Sequence, residues 1–347
     1  MSVDGARLLE YLSAALDGAR LGLAEPPAAV SGGFDTEIYT FRLVGAPPAL
    51  AGPLILRVLG KHNDPRRALR EQAIQNALAA QGYPAPRAPL ASADPGILGG
   101  GFLVMERLPG RTLFESRRLG MAGMVVRAQR RLHALDPTPV RDAVEAAVPG
   151  SSRELTVEGH LAQIEARIVR GALLGLVPAI GWLCAHVPAA AGPSVVCHGD
   201  FHPLNILVDG SRQLTGVLDW PNALFAERAC DVASSVVILR HAPIDAMGVP
   251  RHLRWLARAA LLALARRFMK GHRRAEPLDK GDLRYYEAMA CMRQLVRVAE
   301  NRVAAARNGA TLNRLDASSF GERLARRFLR LTGVPPALPA IKETGSR

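Results

Sequence analysis

Three oxygen-bearing side chains, Asp200, Asn205 and Asp219, are spaced as a proton acceptor and two ligands for a hard cation would be. Asp200 ends His198-Gly199-Asp200, and four residues separate it from Asn205. Ile206-Leu207-Val208, Asp209-Gly210-Ser211 and Leu214 to Leu218 then lead on to Asp219-Trp220. With this spacing an Asp takes the proton of a hydroxyl while an Asn holds magnesium beside nucleotide phosphates. The chemistry that suits the pattern is phosphoryl transfer. Gly199 stands where protein kinases usually carry Arg.

The elements that must position these groups are also legible. Two short apolar runs around Asp209-Gly210-Ser211 predict a hairpin, which would return Asp219 to the side of Asn205. Two hard oxygen ligands delivered in this way suit magnesium, which keeps several waters and shares its remaining sites with phosphates. A lone Asp after Gly is ordinarily a turn residue or a helix cap. The ordered succession of base, ligand, hairpin and second ligand goes beyond that reading. His198 and His202, flanked by Cys197 and Pro203, have no metal-ligand spacing, and His198 reads as a structural hydrogen-bonding residue.

Upstream, Ser31-Gly32-Gly33-Phe34 opens into alternating apolar residues from Ile38 to Leu43, as expected of a loop that covers phosphates between two strands. The full Gly-x-Gly-x-x-Gly pattern is absent, and paired glycines also make plain turns. Leu54 to Leu59 reads as a short strand with Arg57 at its centre. A charge in that place needs a partner, and Glu71 in the helical stretch Ala68 to Ile74 is the candidate. The alternative is a strand-edge Arg that reaches solvent. Kinases carry a Lys at this point, but a guanidinium can grip phosphate in two places at once. Lys61, beyond Gly60, reads as a loop residue. Gly101 to Gly110 runs as an apolar strand into a Pro-Gly stop, and backbone groups around Glu106 to Leu108 could meet an adenine edge.

Taken together these motifs resemble those of the aminoglycoside phosphotransferase and choline kinase-like enzymes. The resemblance lies in His198-Gly199-Asp200 to Asn205, in Asp219 followed by Trp220, and in Arg57, Glu71 and the hinge before Pro109 occurring in order. It covers most of the chain. It implies an α+β, protein-kinase-like bilobal fold, with a small antiparallel-sheet lobe over residues 1–108 and a large, mainly helical lobe over 109–347. It implies transfer of the γ-phosphate of ATP to a hydroxyl of an antibiotic-like or metabolite molecule. Asp200 would be the base, Asn205 and Asp219 would hold Mg2+, Arg57 would steady the phosphates and Glu71 would position Arg57. Asp231, in Ala229-Cys230-Asp231, matches a family residue that supports the catalytic loop, although Asp is also a common helix cap. Tyr285, Tyr286, Glu287 and Arg293 either line the acceptor pocket or simply pack. A kinase-fold nucleotide sensor or scaffold is a second reading, against which the complete set Asp200, Asn205 and Asp219 argues. A protein kinase is a third, and no Asp-Phe-Gly or Ala-Pro-Glu signature follows Asn205 to support it. The motifs leave open the acceptor, the choice of ATP over GTP and the oligomeric state.

Composition fits a folded enzyme. The chain has 347 residues, enough for about two domains, and 49% hydrophobic content, which favours a core over disorder. Cys184, Cys197, Cys230 and Cys291 form no paired motif, so reduced thiols and a cytoplasmic location are expected. Met1 to Leu23 reads as an amphipathic helix, not a signal peptide, and no apolar run approaches the roughly 20 residues of a membrane span. The net charge of +13 comes with only four lysines among 44 basic residues, an Arg-rich bias more than a binding signature. Arg251 to Arg274 could attract nucleic acid or anionic lipid. With Leu253, Leu256, Ala260 and Leu264 as its apolar side, the segment reads rather as a packed helix with a solvated face. No nucleic-acid partner and no membrane insertion are expected. The stretch from Pro335 to Arg347 reads as poorly ordered.

Overall fold

The computed structural model describes residues 3–30, 36–61, 63–116, 120–189, 192–245, 247–308 and 319–340. It forms two compact units, one of residues 1–117, 135–152 and 204–222, the other of 118–134, 153–203 and 223–347.

The first unit is built on a five-stranded sheet: β1 (Gly22–Ala29), β2 (Thr36–Val44), β3 (Leu54–Leu59), β4 (Leu90–Ser92) and β5 (Phe102–Glu106). The order is β1-β2-β3-β5-β4, with every neighbouring pair antiparallel. Alternation along β2 turns Tyr39, Phe41 and Leu43 inward, where they meet Leu54 and Leu56 of β3 and Phe102 and Val104 of β5. Leu8 and Leu12, one turn apart on the helix Gly5–Ala15, are buried in the same cluster. That helix starts at Asp4, whose carboxylate accepts the N–H of Ala6 at 2.9 Å. It is shorter than the sequence pattern suggested, because Asp17 and Gly18 turn to positive φ and end the run. The helix Arg67–Ala80 is tied to the sheet side by Gln72 and Asn76, whose amides both donate to Ala88 O at 2.9 Å.

The second unit is mainly helical. Its helices Met121–His133, Val157–Gly171, Val177–Ala185, Arg228–His241, Arg254–Ala275, Lys280–Asn308 and Phe320–Thr332 accompany a strand pair, Val195–Cys197 with Leu224–Ala226. Lys280–Asn308 is its axis: Tyr285, Tyr286, Ala288, Met292, Leu295 and Val296 are all buried. Two sequence expectations are corrected in this unit. On Arg254–Ala275 the packed face is Ala265, Phe268, Met269 and His272, while Leu253 and Leu256 are exposed, since the larger side chains lie later in the helix. Residues 335–340 are not loose: Ala337 N–H donates to Gly175 O at 2.8 Å and Arg302 Nη1 to Pro339 O at 3.2 Å. Among the described residues no helix is long and apolar enough to cross a membrane.

Candidate active site

In the first unit Arg57 lies at mid-strand in β3, opposite Ile38 of β2 and Leu103 of β5. Its Nη1 donates to Glu71 Oε1 at 2.7 Å and its Nη2 to Asp219 Oδ1 at 2.8 Å. Arg57 is 9% exposed and Glu71 1%, so the strand-edge alternative is excluded and the pair is buried. Gln75, one turn along the helix from Glu71, adds a second donor to Oε1 at 3.1 Å. Burial works against the Arg57 charge, but Glu71 and Asp219 outweigh it and raise its pKa. Burial pushes the Glu71 carboxyl upward, and the Arg57 guanidinium pulls it part of the way back. Arg57 Nε and Glu71 Oε2 have no hydrogen-bond partner among the described residues.

Asp219 is delivered by the expected hairpin. Ile206–Val208 and Leu214–Val217 pair antiparallel with Ile206 opposite Val217, and Leu218 N–H donates to Asn205 O at 2.8 Å. The turn is fixed by Asp209, whose carboxylate accepts Gln213 N–H at 2.8 Å, with Arg212 at positive φ. Asp219 itself has φ +69, a left-handed conformation that Asp tolerates better than most residues. Trp220 pins it there: the ring is fully buried, its N–H donates to Val217 O at 2.9 Å, and it meets Tyr83 edge-on. The Asp219 side chain remains 37% exposed.

The hinge segment lies in the same unit. Glu106 exchanges two bonds with Arg87, its N–H donating to Arg87 O at 2.9 Å and its carboxylate accepting Arg87 N–H at 2.8 Å. Arg107 N–H donates to Pro53 O at 2.9 Å. Leu108 N–H meets no acceptor among the described residues. Gly110, at φ +118, passes so close to the hairpin that a Cβ would stand 2.8 Å from Val208 O. Ser31, Gly32, Gly33 and Phe34 lie outside the described residues.

Asp200, His198 and Asp231 belong to the second unit, which the chain leaves between Pro203 and Leu204, just before Asn205. Asp231 is fully buried on Arg228–His241 and does not cap the helix. One of its oxygens accepts Gly199 N–H at 2.8 Å and the other lies 2.9 Å from His133 Nε2. Burial alone would raise its pKa, but His133, His198 and the Gly199 amide bring it down to about 2. His198 is fully buried, its Nδ1 accepts Asp200 N–H at 3.2 Å, and its ring meets Phe201 edge-on. Arg293 Nη2 donates to Gly199 O. Burial would likewise raise the Asp200 carboxyl; His202 at 3.7 Å, then Arg293 and His198, hold it well below the usual carboxylate range. The Asp200 carboxylate is therefore ionised at neutral pH. Tyr285 and Glu287 are committed to packing: Tyr285 donates to Leu183 O at 3.2 Å, and Glu287 pairs with Arg240 and Arg327.

Sequence reasoning missed His133 and the bond from Arg293 to Gly199. They come from helices 98 residues before Asp231 and 94 residues after Gly199. The only signal was a polar residue inside an apolar helical pattern.

A sheet that buries a cation paired to a helix carboxylate, in a chain that also has a mainly helical part bearing an Asp loop, points to a kinase-like phosphotransferase. The chain belongs to the phosphotransferase enzyme family, whose model matches residues 28–278. It is therefore a phosphotransferase with an alcohol group as acceptor. The fold is α+β and protein-kinase-like, with a small antiparallel-sheet lobe and a large, mainly helical one. Among solved structures it is similar to a Ralstonia eutropha JMP134 protein described as an aminoglycoside phosphotransferase, at 17% identity and TM-score 0.60 over 97% of this chain and 100% of that one. Plasmodium vivax ethanolamine kinase aligns at 11% identity and TM-score 0.56, over 93% of this chain and 86% of that one. A thermostable mutant of aminoglycoside phosphotransferase APH(4)-Ia, in ternary complex with AMP-PNP and hygromycin B, aligns at 17% identity and TM-score 0.52, over 92% and 97%. At these identities the likeness shows the fold. No curated protein matches the sequence.

Proposed function

We propose that this chain transfers the γ-phosphate of ATP to a hydroxyl of a small molecule, an antibiotic or a metabolite, in the cytoplasm. The observation that carries the reading is the trio in which a buried Arg57 joins the buried Glu71 to the half-exposed Asp219. A guanidinium fixed by a helix carboxylate, with a further carboxylate at the end of a hairpin, is what phosphates and their cation require. Asp200 is the base: it orients the acceptor hydroxyl and takes its proton as the oxygen attacks. Arg57 steadies the phosphate oxygens and Glu71 holds Arg57 in place. The Leu108 amide and the Glu106 backbone contact the adenine edge. In chain order the sheet lobe would take residues 1–108 and the helical lobe 109–347, with residues 109–117, 135–152 and 204–222 grouped with the first unit.

The donors fit magnesium. Asn205 and Asp219 supply hard oxygens from the two ends of one hairpin, and Asp219 is half-exposed. With two protein oxygens as ligands, phosphate oxygens and water would complete the shell. Bound there, Mg2+ would neutralise charge on the phosphates.

The test is a phosphate-transfer screen with ATP and GTP across hydroxyl compounds, with Asp200→Ala as control. Transfer should vanish in Asp200→Ala while MgATP still raises its melting temperature. An undiminished rate in that variant overturns the assignment of the base. Magnesium-dependent nucleotide binding unchanged in Asp219→Ala overturns the metal assignment. Nucleotide binding with no transfer and no hydrolysis would favour a sensor.

A further inference from the structure

We propose that Arg293 is a positioning residue for Asp200, its guanidinium clamping the peptide group that carries the base. The inference rests on reading Asp200 as that base. The peptide joining Gly199 to Asp200 is held at both of its polar atoms: its C=O accepts from Arg293 Nη2 and its N–H donates to His198 Nδ1 at 3.2 Å. The preceding amide, Gly199 N–H, is fixed at 2.8 Å by Asp231. Gly199 needs such restraint. It has φ +76, a region open to glycine at no cost, so backbone sterics alone would not keep this peptide in one orientation. Rotation of that plane would swing Asp200 away from a bound hydroxyl.

The clamp is well supported and has no other evident employment. Arg293 projects from Lys280–Asn308, where Met292, Leu295 and Val296 are fully buried and fix the helix. Among the described residues it makes no ion pair with a carboxylate, unlike Arg167, which forms a two-pronged pair with Glu300 at 3.0 and 2.7 Å. His160 on Val157–Gly171 lies in the field of both cations. Burial, then Arg293 and Arg167, bring its pKa down to about 3, so it is neutral and does not add a charge. Arg293 is a permanent cation whose charge also favours the ionised form of Asp200. A planar, always charged donor on a rigid helix is suited to hold one carbonyl in one direction.

The experiment compares Arg293→Met, Arg293→Lys and Arg293→Ala with the wild-type chain and Asp200→Ala. Activity is read as MgATP hydrolysis with water as acceptor, and loop order as hydrogen exchange of the peptide spanning His198 to Phe201. Arg293→Met should lower kcat roughly 10- to 100-fold with the KM for MgATP unchanged, as expected when a reacting group is displaced but the nucleotide is not. Exchange at the loop should rise in the same variant. Arg293→Lys should recover part of both, and low-millimolar guanidinium should restore rate to Arg293→Ala but not to Asp200→Ala. A purely structural role predicts lower melting temperature, Lys no better than Met and no guanidinium rescue, and that result overturns the proposal. Unchanged loop exchange in Arg293→Met overturns it as well, whatever the rate. Wild-type hydrolysis in Asp200→Ala would instead remove the base assignment. Inert Asp200→Ala with full rates in every Arg293 variant would remove only the clamp.

Discussion

Arg57 and Asp231 are both buried charges, yet they are used differently. Arg57 divides its guanidinium between a buried Glu71 and a half-exposed Asp219, and its Nε and the second Glu71 oxygen have no partner among the described residues. Asp231 commits both oxygens to the fold, one to the Gly199 amide and one to His133. The first arrangement leaves polar atoms without a partner among the described residues. The second ties the backbone just before Asp200 to the helix that carries Asp231. Desolvating a charge costs several kcal/mol unless its partners are complete, so the incomplete set is the one that needs a functional explanation.

The comparison can be broken from either side. The largest effect should be on chemistry: Asp200→Ala should reduce transfer by about 10²- to 10⁴-fold, the range of a general base, with the folded state intact by thermal melting. Next, Asp231→Ala should destabilise the fold by about 3–5 kcal/mol in urea titrations, because it strands the Gly199 amide and His133 in the interior. Asp231→Asn, which keeps an acceptor for Gly199, should cost less. If Asp231→Ala unfolds no more easily than the wild type, the loop is not anchored as described.

Acid should act through the same carboxylate. Its folded pKa, about 2, lies below the ordinary 3.8, so its contribution is complete at neutral pH and is lost as pH falls through the folded value. The loss should amount to roughly 2 kcal/mol and be absent from Asp231→Asn, as measured by stability against pH. Glu71→Gln should show the opposite balance, with about a tenfold rise in the KM for ATP, the loss of a charged hydrogen bond of 1–2 kcal/mol, and little change in the rate at saturation. Asp209→Ala, at the hairpin turn, should be smallest at about 1 kcal/mol of stability. A Glu71 variant that lost stability as Asp231→Ala does, while binding ATP normally, would erase the distinction between the two regions.

Much of the first unit was legible because its signals are local. Alternation marked β2 and β3, a cation inside an apolar strand called for a carboxylate on the next helix, and Asp209-Gly210 marked the hairpin. The second unit was less legible. The Arg254–Ala275 pattern suggested Leu253 and Leu256 as its packed side, but Phe268 and Met269 set the orientation by meeting other helices. A proline-rich stretch suggested disorder from Pro335, yet Gly175 and Arg302 bind the backbone of residues 337 and 339.

The sequence by itself determined the order of the candidate groups: Asp200, Asn205, a hairpin and Asp219, preceded by a strand cation and a helix carboxylate. Such groups are encoded within a few residues of the turns that present them, so spacing is enough to find them. Tertiary structure alone decided that Arg57 reaches Asp219 as well as Glu71, that His133 completes Asp231, and that Arg293 closes on the Gly199 carbonyl. Those partners are far apart along the chain and are brought within reach only when the sheet and the helices bury their apolar faces.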